Sequence, residues 1–448
     1  MSPSSPGPIA GPQTVDTFAT QNRLGFWLAV ILTGAGAGVG ALALYLIFQQ
    51  VQHLAWPGAD GSLLHAFAAA GPWRHLVVLL AAGLLVGVGQ IVLQGLSSGG
   101  GIDINAAIWF SGGRLPTLRT LGSAILSIAV VAMGASLGRE GAPKQVGAVM
   151  GNLLADRVRL SEEQRRLLVA CGAGAGMAAA YGVPLGGALF ALEVLRGVLA
   201  LRLILPALVA SVIASLVVWL LVPDVPLYAI PDYPSSASVL LWAALLGPIA
   251  GVVSVGYVRA IAWADRNRPS GWRQAVTPVI ILGIFGLVSI ALPQLLGNGR
   301  DIAELAFNGR VAQGVLITTL LLKTLATVMM VRSGAPGGLF TPSLALGAML
   351  GGVLGDGWSL LWPGTPPGLY AILGAAAVLA ATTQGPISTV VLMIEFTGHD
   401  RSFMAPLLIA VSAATLVSRW IEPRSIYDAK LSDEQVFARV AARSPAVT

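Results

Sequence analysis

Few side chains in this sequence can carry charge, and two of them are adjacent. In "SLGREGAPKQVG", Ser136 to Gly147, Arg139 and Glu140 stand between glycines, with apolar runs on either side. A carboxylate in such surroundings can pair with a cation, or it can take up a proton and compete with a mobile anion for the same donors. Desolvation favours its neutral form and helix N-termini favour its charged form, and the balance is a group able to switch. Adjacent helix residues face apart, which disfavours a simple Arg139–Glu140 salt bridge. Arg139 reads as a structural cation that satisfies backbone carbonyls.

Other chemistry-bearing residues are sparse. His53, His65, His75 and His399 show no metal-ligand spacing, and the lone Cys171 cannot form an intramolecular disulfide. HExxH does not occur and ionisable residues within the apolar spans are few, so an intramembrane enzyme is disfavoured, and no catalytic residue, metal or cofactor is expected. The net charge of +6 is not gathered into a basic stripe, which argues against a nucleic-acid partner.

The elements that must position Glu140 are membrane helices. Charged residues make up 10% of the 448 and hydrophobic ones 55%, against about 25% charged in soluble domains. Mean hydropathy is +0.79. Stretches such as Leu24–Phe48, Leu76–Leu96, Leu203–Val222, Val239–Val258 and Val276–Leu296 reach the roughly 20 apolar residues that span a bilayer. Residues 1–22 are rich in Pro, Ser and Gly and predict a disordered tail, and 432–448 reads as a short polar tail. Arg259, Arg266, Arg268 and Arg273 mark one loop as cytoplasmic, and Arg419, Arg424, Lys430, Arg439 and Arg443 put the C-terminus there too. "VPDVPLYAIPDYPSSAS" has no Lys or Arg and reads as external, whereas "DRVRLSEEQRR" mixes both signs and escapes the rule.

The chain repeats itself. "GAVMGNLLAD" (Gly147–Asp156) matches "GAMLGGVLGD" (Gly347–Asp356) at an offset of 200, and Gly138 matches Gly338. "CGAGAGMAAAYGVPLGGALFALE", ending at Glu193, matches "LGAAAVLAATTQGPISTVVLMIE", ending at Glu395, at an offset of 202. Two homologous membrane halves are a transporter architecture, with a midplane site built by broken helices. "LSSGGGID" (Leu96–Asp103), "GREGAP" (Gly138–Pro143) and "SGAPGGLFTP" (Ser333–Pro342) are Gly/Pro breaks between apolar runs. Helix starts converging there would offer amides and positive dipole to an anion.

These motifs together resemble the CLC family of chloride channels and chloride/proton exchangers, in its bacterial type without C-terminal soluble domains. "GREGAP" is similar to the family's GREGP, with Ala142 where the proline stands; "GGLFTP" fits GxFxP, and Tyr427 in "SIYDAKL" falls where the family has an anion-facing tyrosine. The resemblance covers roughly 24–431 and implies an all-α polytopic fold of about eighteen helices in two inverted repeats, about 23–222 and 238–421. It implies a homodimer in the bacterial inner membrane, with one pore per subunit. Glu140 is implied as the gate, the amides of Leu339 and Phe340 with the Tyr427 hydroxyl as a central anion site, and the amides around Arg139, Glu140 and Gly141 as an outer one.

Two departures bear on function. The family's GSGIP aligns with "GGGID", so the anion-facing serine becomes Gly100, followed by Gly101, and the proline becomes Asp103. A hydroxyl donor is lost, and Asp103 would repel an anion unless its carboxylate points into the protein or is protonated. Val194 stands where exchangers of the family carry a proton-relaying glutamate, and a valine cannot relay a proton. Glu193 and its repeat partner Glu395 read as structural acids. The resemblance thus implies movement of small monovalent anions, chloride first, uncoupled or weakly proton-coupled. Proton-coupled exchange of chloride or fluoride is the alternative.

Overall fold

The computed structural model describes residues 23–58, 63–96, 102–234, 236–399, 403–429 and 431–443. The 1–22 tail therefore lies outside the described residues. So do Gly100 and Gly101, two of the expected anion-site residues.

Among the described residues the regular elements are eighteen α-helices, one π-helical turn and two 3-10 turns. The first repeat runs α1 (Arg23–Ala55), α2 (Leu63–Ala69), α3 (Pro72–Gly95), α4 (Ile104–Phe110) and α5 (Thr117–Ala132). It continues through α6 (Gly141–Arg157), α7 (Glu162–Tyr181), α8 (Pro184–Phe190) and α9 (Leu201–Trp219). The second runs α10 (Ala237–Arg266), α11 (Arg273–Ala291), α12 (Arg300–Phe307), α13 (Gln313–Ser333) and α14 (Phe340–Leu361). It ends with α15 (Pro367–Thr383), α16 (Pro386–Thr397) and α17 (Met404–Ile421), and α18 (Asp433–Arg443) follows. Eight helices are long and apolar enough to cross a membrane.

The glycine pattern that reveals the repeat is the imprint of two close helix crossings. α6 meets α7 at Gly147 and Gly172, and α14 meets α15 at Gly347 and Gly374. In each crossing an added methyl group would collide with the other glycine's carbonyl oxygen. Without a hydrophobic force between helices in lipid, such approach is what holds them together. α7 and α15, apolar nearly all round, are buried along most of their length and form the centre of each half. Equivalent helices also meet across the middle, α3 on α11 and α8 on α16.

Local sequence sets the breaks. α7 starts on a capping box, with Ser161 and Gln164 exchanging side-chain bonds to each other's amides. It stops at Gly182, whose φ of 69° suits glycine. α8 and α16 each begin on a proline, Pro184 and Pro386, where the missing N–H is no loss. After α8 the helix widens into a π turn, Ala191–Arg196, which carries Glu193 and Val194.

The structure explains the charge run that resisted the orientation rule. "DRVRLSEEQRR" is the α6–α7 corner, where Arg165 pairs with Asp156 at 2.6 Å and Arg166 with Glu162 and Glu163. Arg196 of the π turn closes the network on Glu163 at 3.1 Å. At the C-terminus the expected polar tail is instead helical, as α18, through Arg443. Arg439 is 2% exposed and forms an ion pair with buried Asp428, and Arg424 pairs with Asp433. Arg419 is held by the side chain and carbonyl of Gln384. Arg424 and Arg439 are thus internal fasteners, and the exposed Arg419 is tied to Gln384.

Candidate anion site

The two principal breaks meet. Gly138, just before α6, and Gly338, just before α14, form an antiparallel bridge, each amide donating to the other's carbonyl at 2.7 Å. This brings the N-termini of α6 and α14, each with unpaired N–H groups, together at one point.

Glu140 fills that point and is fully buried. Its Oε1 accepts the Phe340 amide at 2.8 Å, the first helical N–H of α14. Its Oε2 accepts the Tyr181 hydroxyl at 2.9 Å and the Thr341 hydroxyl at 3.1 Å. The carboxylate is wedged so closely against Gly138 and Gly338 that neither has room for a β-carbon. Thus the amide expected to hold a mobile anion is taken by a tethered one. Gly141 opens α6 beside Gly338, as a junction of two helix starts requires.

Arg139 departs from the expectation. Its guanidinium lies against the rings of Phe48 and Tyr181, 5.8 Å from each centroid, rather than on backbone carbonyls. Stacked there it fixes Tyr181, which in turn holds Glu140.

Leu339 and Tyr427 line a cavity of about 270 Å³ that reaches from the exposed Arg268 to the buried Lys144 and Gly338. Tyr427 sits on a 3-10 turn, Ile426–Asp428, closed by Asp428 accepting from the Ser425 amide and hydroxyl. Its hydroxyl lies 3.4 Å from the Lys144 ammonium. Asp103 lines the same cavity but aims its carboxylate at the start of α4, where Oδ1 accepts the Ala106 amide at 2.9 Å.

Glu193 and Glu395 do symmetric work. Glu193 accepts from the amides of Ile387 at 3.0 Å and Ser388 at 2.6 Å, capping α16. Glu395 accepts from Leu185 at 3.0 Å and Gly186 at 2.6 Å, capping α8. Val194 is buried, and its carbonyl accepts from Arg439 at 2.7 Å.

Sequence reasoning missed Tyr181, Thr341 and Lys144. Thr341 stood inside "GGLFTP", and Lys144 one helical turn beyond Glu140, so spacing alone would have flagged both. Nothing local marks Tyr181.

The sequence pattern of the voltage-gated chloride channel family matches residues 78–419. The chain belongs to that family, the CLC proteins. Among its relatives, the voltage-gated ClC-type chloride channel ClcB of Yersinia pestis is 36% identical over 404 residues, 87% of this chain and 96% of that one. The H(+)/Cl(-) exchange transporter ClcA of Vibrio parahaemolyticus is 32% identical over 305 residues, 66% of this chain and 65% of that one. The crystal structure of a slow cyanobacterial Cl-/H+ antiporter shares the fold, with a TM-score of 0.77 and 23% identity over 93% of this chain and 98% of that one. Family and helices together make this an integral, multi-pass CLC protein of the bacterial inner membrane, built for anion transport.

Proposed function

We propose that this CLC protein moves small monovalent anions, chloride first, along one path in each subunit, with Glu140 as the gate. The observation that carries this reading is the carboxylate of Glu140 seated on the Phe340 amide and two hydroxyls. A helix N-terminus that accepts a tethered anion offers the same donors to a mobile one once the tether is protonated and leaves. The homodimer implied by the CLC resemblance then carries one such path in each subunit.

Uncoupled or weakly coupled movement is the favoured form. Val194 has no proton to pass, and Glu193 beside it is engaged with two amides of α16. The alternative, proton-coupled exchange of chloride or fluoride, draws on the likeness to the Vibrio ClcA protein. It would need a proton route that bypasses Val194.

Proteoliposomes under a chloride gradient, with internal pH followed throughout, separate the two. The expected result is chloride efflux without matching proton uptake, and efflux that loses its pH dependence in Glu140→Gln. Stoichiometric proton uptake would establish the exchanger. Glu140→Gln flux of unchanged size and pH dependence would remove the gate.

A further inference from the structure

Two lysines are buried among the described residues, and the contrast between them is informative. Lys323, 2% exposed, donates to the carbonyls of Leu295 at 2.8 Å, Gly297 at 2.9 Å and Leu296 at 3.5 Å. Its three N–H groups have three acceptors, which is a structural role. Lys144, 6% exposed, has among the described residues one acceptor, the Tyr427 hydroxyl at a long 3.4 Å. Otherwise its ammonium rests over the rings of Tyr427 and Phe190, 4.6 and 5.2 Å from their centroids. Aromatic faces stabilise a cation without satisfying its N–H groups. The ammonium lines the cavity shared by Leu339, Gly338 and Tyr427.

We infer that Lys144 is a direct ligand of the transported anion, a fixed cation in the pore. The inference rests on the proposed function and adds the charge that the site uses. Glu140, at the N-cap of α6, and Lys144 stand one turn apart, the Lys144 amide donating to the Glu140 carbonyl at 3.3 Å. An isolated buried charge is costly, so the ammonium favours anions nearby, and its field is shared between Asp103 and the ionised Glu140. When Glu140 is ionised its own carboxylate serves. When it is protonated and leaves, a chloride-sized anion between the Tyr427 hydroxyl, the Lys144 ammonium and the first amides of α14 restores the balance. The same cation explains how Asp103 is tolerated beside an anion path: both groups line one cavity, and the positive charge of Lys144 offsets the acid.

The test is calorimetric titration of sodium chloride into purified full-length protein carrying Glu140→Gln, which vacates the amides. Adding Lys144→Met is expected to weaken chloride binding about tenfold or more, the consequence of losing a close, poorly screened charge. Adding Lys144→Arg instead keeps the charge and is expected to stay within about threefold of the parent. Equal affinity in the folded Met variant overturns the inference, and so does loss of binding in a folded Arg variant. If the Met variant fails to elute as folded protein, the Arg variant and Lys144→Gln decide by the same criteria. If Glu140→Gln with Lys144 intact binds no chloride, the proposed function fails rather than this assignment.

Discussion

Gly138 and Gly338, one from each repeat, hold each other by two backbone hydrogen bonds of 2.7 Å, and the carboxylate of Glu140 lies in the space their missing β-carbons leave. The bridge joins the N-termini of α6 and α14 into one unit. The first repeat contributes the competing acid and the second contributes the amide it occupies. The absence of side chains at both glycines lets the acid come within reach of that amide.

A methyl group at Gly338 would therefore strike the Glu140 carboxylate. Gly338→Ala is expected to push the side chain off the Phe340 amide and raise chloride flux toward that of Glu140→Gln. The decisive measurement is a double-mutant cycle: in a Glu140→Ala background the same Gly338→Ala change should add little, because the collision is gone. An equal effect in both backgrounds would place the cause in the backbone instead.

Tyr181 is a second lever on the Glu140 carboxylate. Its hydroxyl donates to Oε2 while Arg139 stacks on its ring. Tyr181→Phe keeps the ring and removes one donor to a buried carboxylate, a loss of about 1.5–3 kcal/mol to the seated state. Flux measured at one fixed pH should rise about tenfold or more, up to the level of Glu140→Gln, with a modest fall in thermal stability. Flux equal to the parent's would show that Thr341 and the Phe340 amide suffice.

What was legible beforehand divides along a physical line. Glycine periodicity, the breaks at "GREGAP" and "GGLFTP" and the acid at 140 are local, because a close crossing or a helix start demands particular residues in one short stretch. What escaped were relations between stretches. Tyr181 ends a helix of the first repeat, yet it bonds Glu140 and touches Thr341 across the interface of the halves. α18 escaped for the same reason: its sequence is polar, and its place comes from distant partners, Arg439 buried against Asp428 and the Val194 carbonyl and Asp433 paired with Arg424. Polarity alone reads as a tail.

The exchanged acids give a prediction about the repeats. Glu193 caps α16 and Glu395 caps α8, each through two amides with matching distances. Both are partly exposed to solvent, so each replacement by Gln should cost about 1 kcal/mol, by loss of a charged acceptor at a helix start. The two losses should be alike, read as equal falls in the temperature at which the protein loses its monodisperse elution peak. Glu193→Gln should leave proton movement during chloride efflux as it was. A change in proton movement confined to Glu193→Gln would make that residue a relay and not a cap.

The last prediction concerns the C-terminal helix. Arg439 and Asp428 form a pair buried on both sides, and Asp428 also closes the turn that carries Tyr427. Removing one member leaves the other charged and unpaired, at a cost of about 3–5 kcal/mol. Arg439→Met should therefore destabilise the protein strongly and weaken chloride binding through a loosened Tyr427. Arg439→Met combined with Asp428→Asn should recover much of the stability, since no uncompensated charge remains. If the single and double variants melt alike, the pair is not what anchors α18, and the Val194 carbonyl, which Arg439 also holds, is the better candidate.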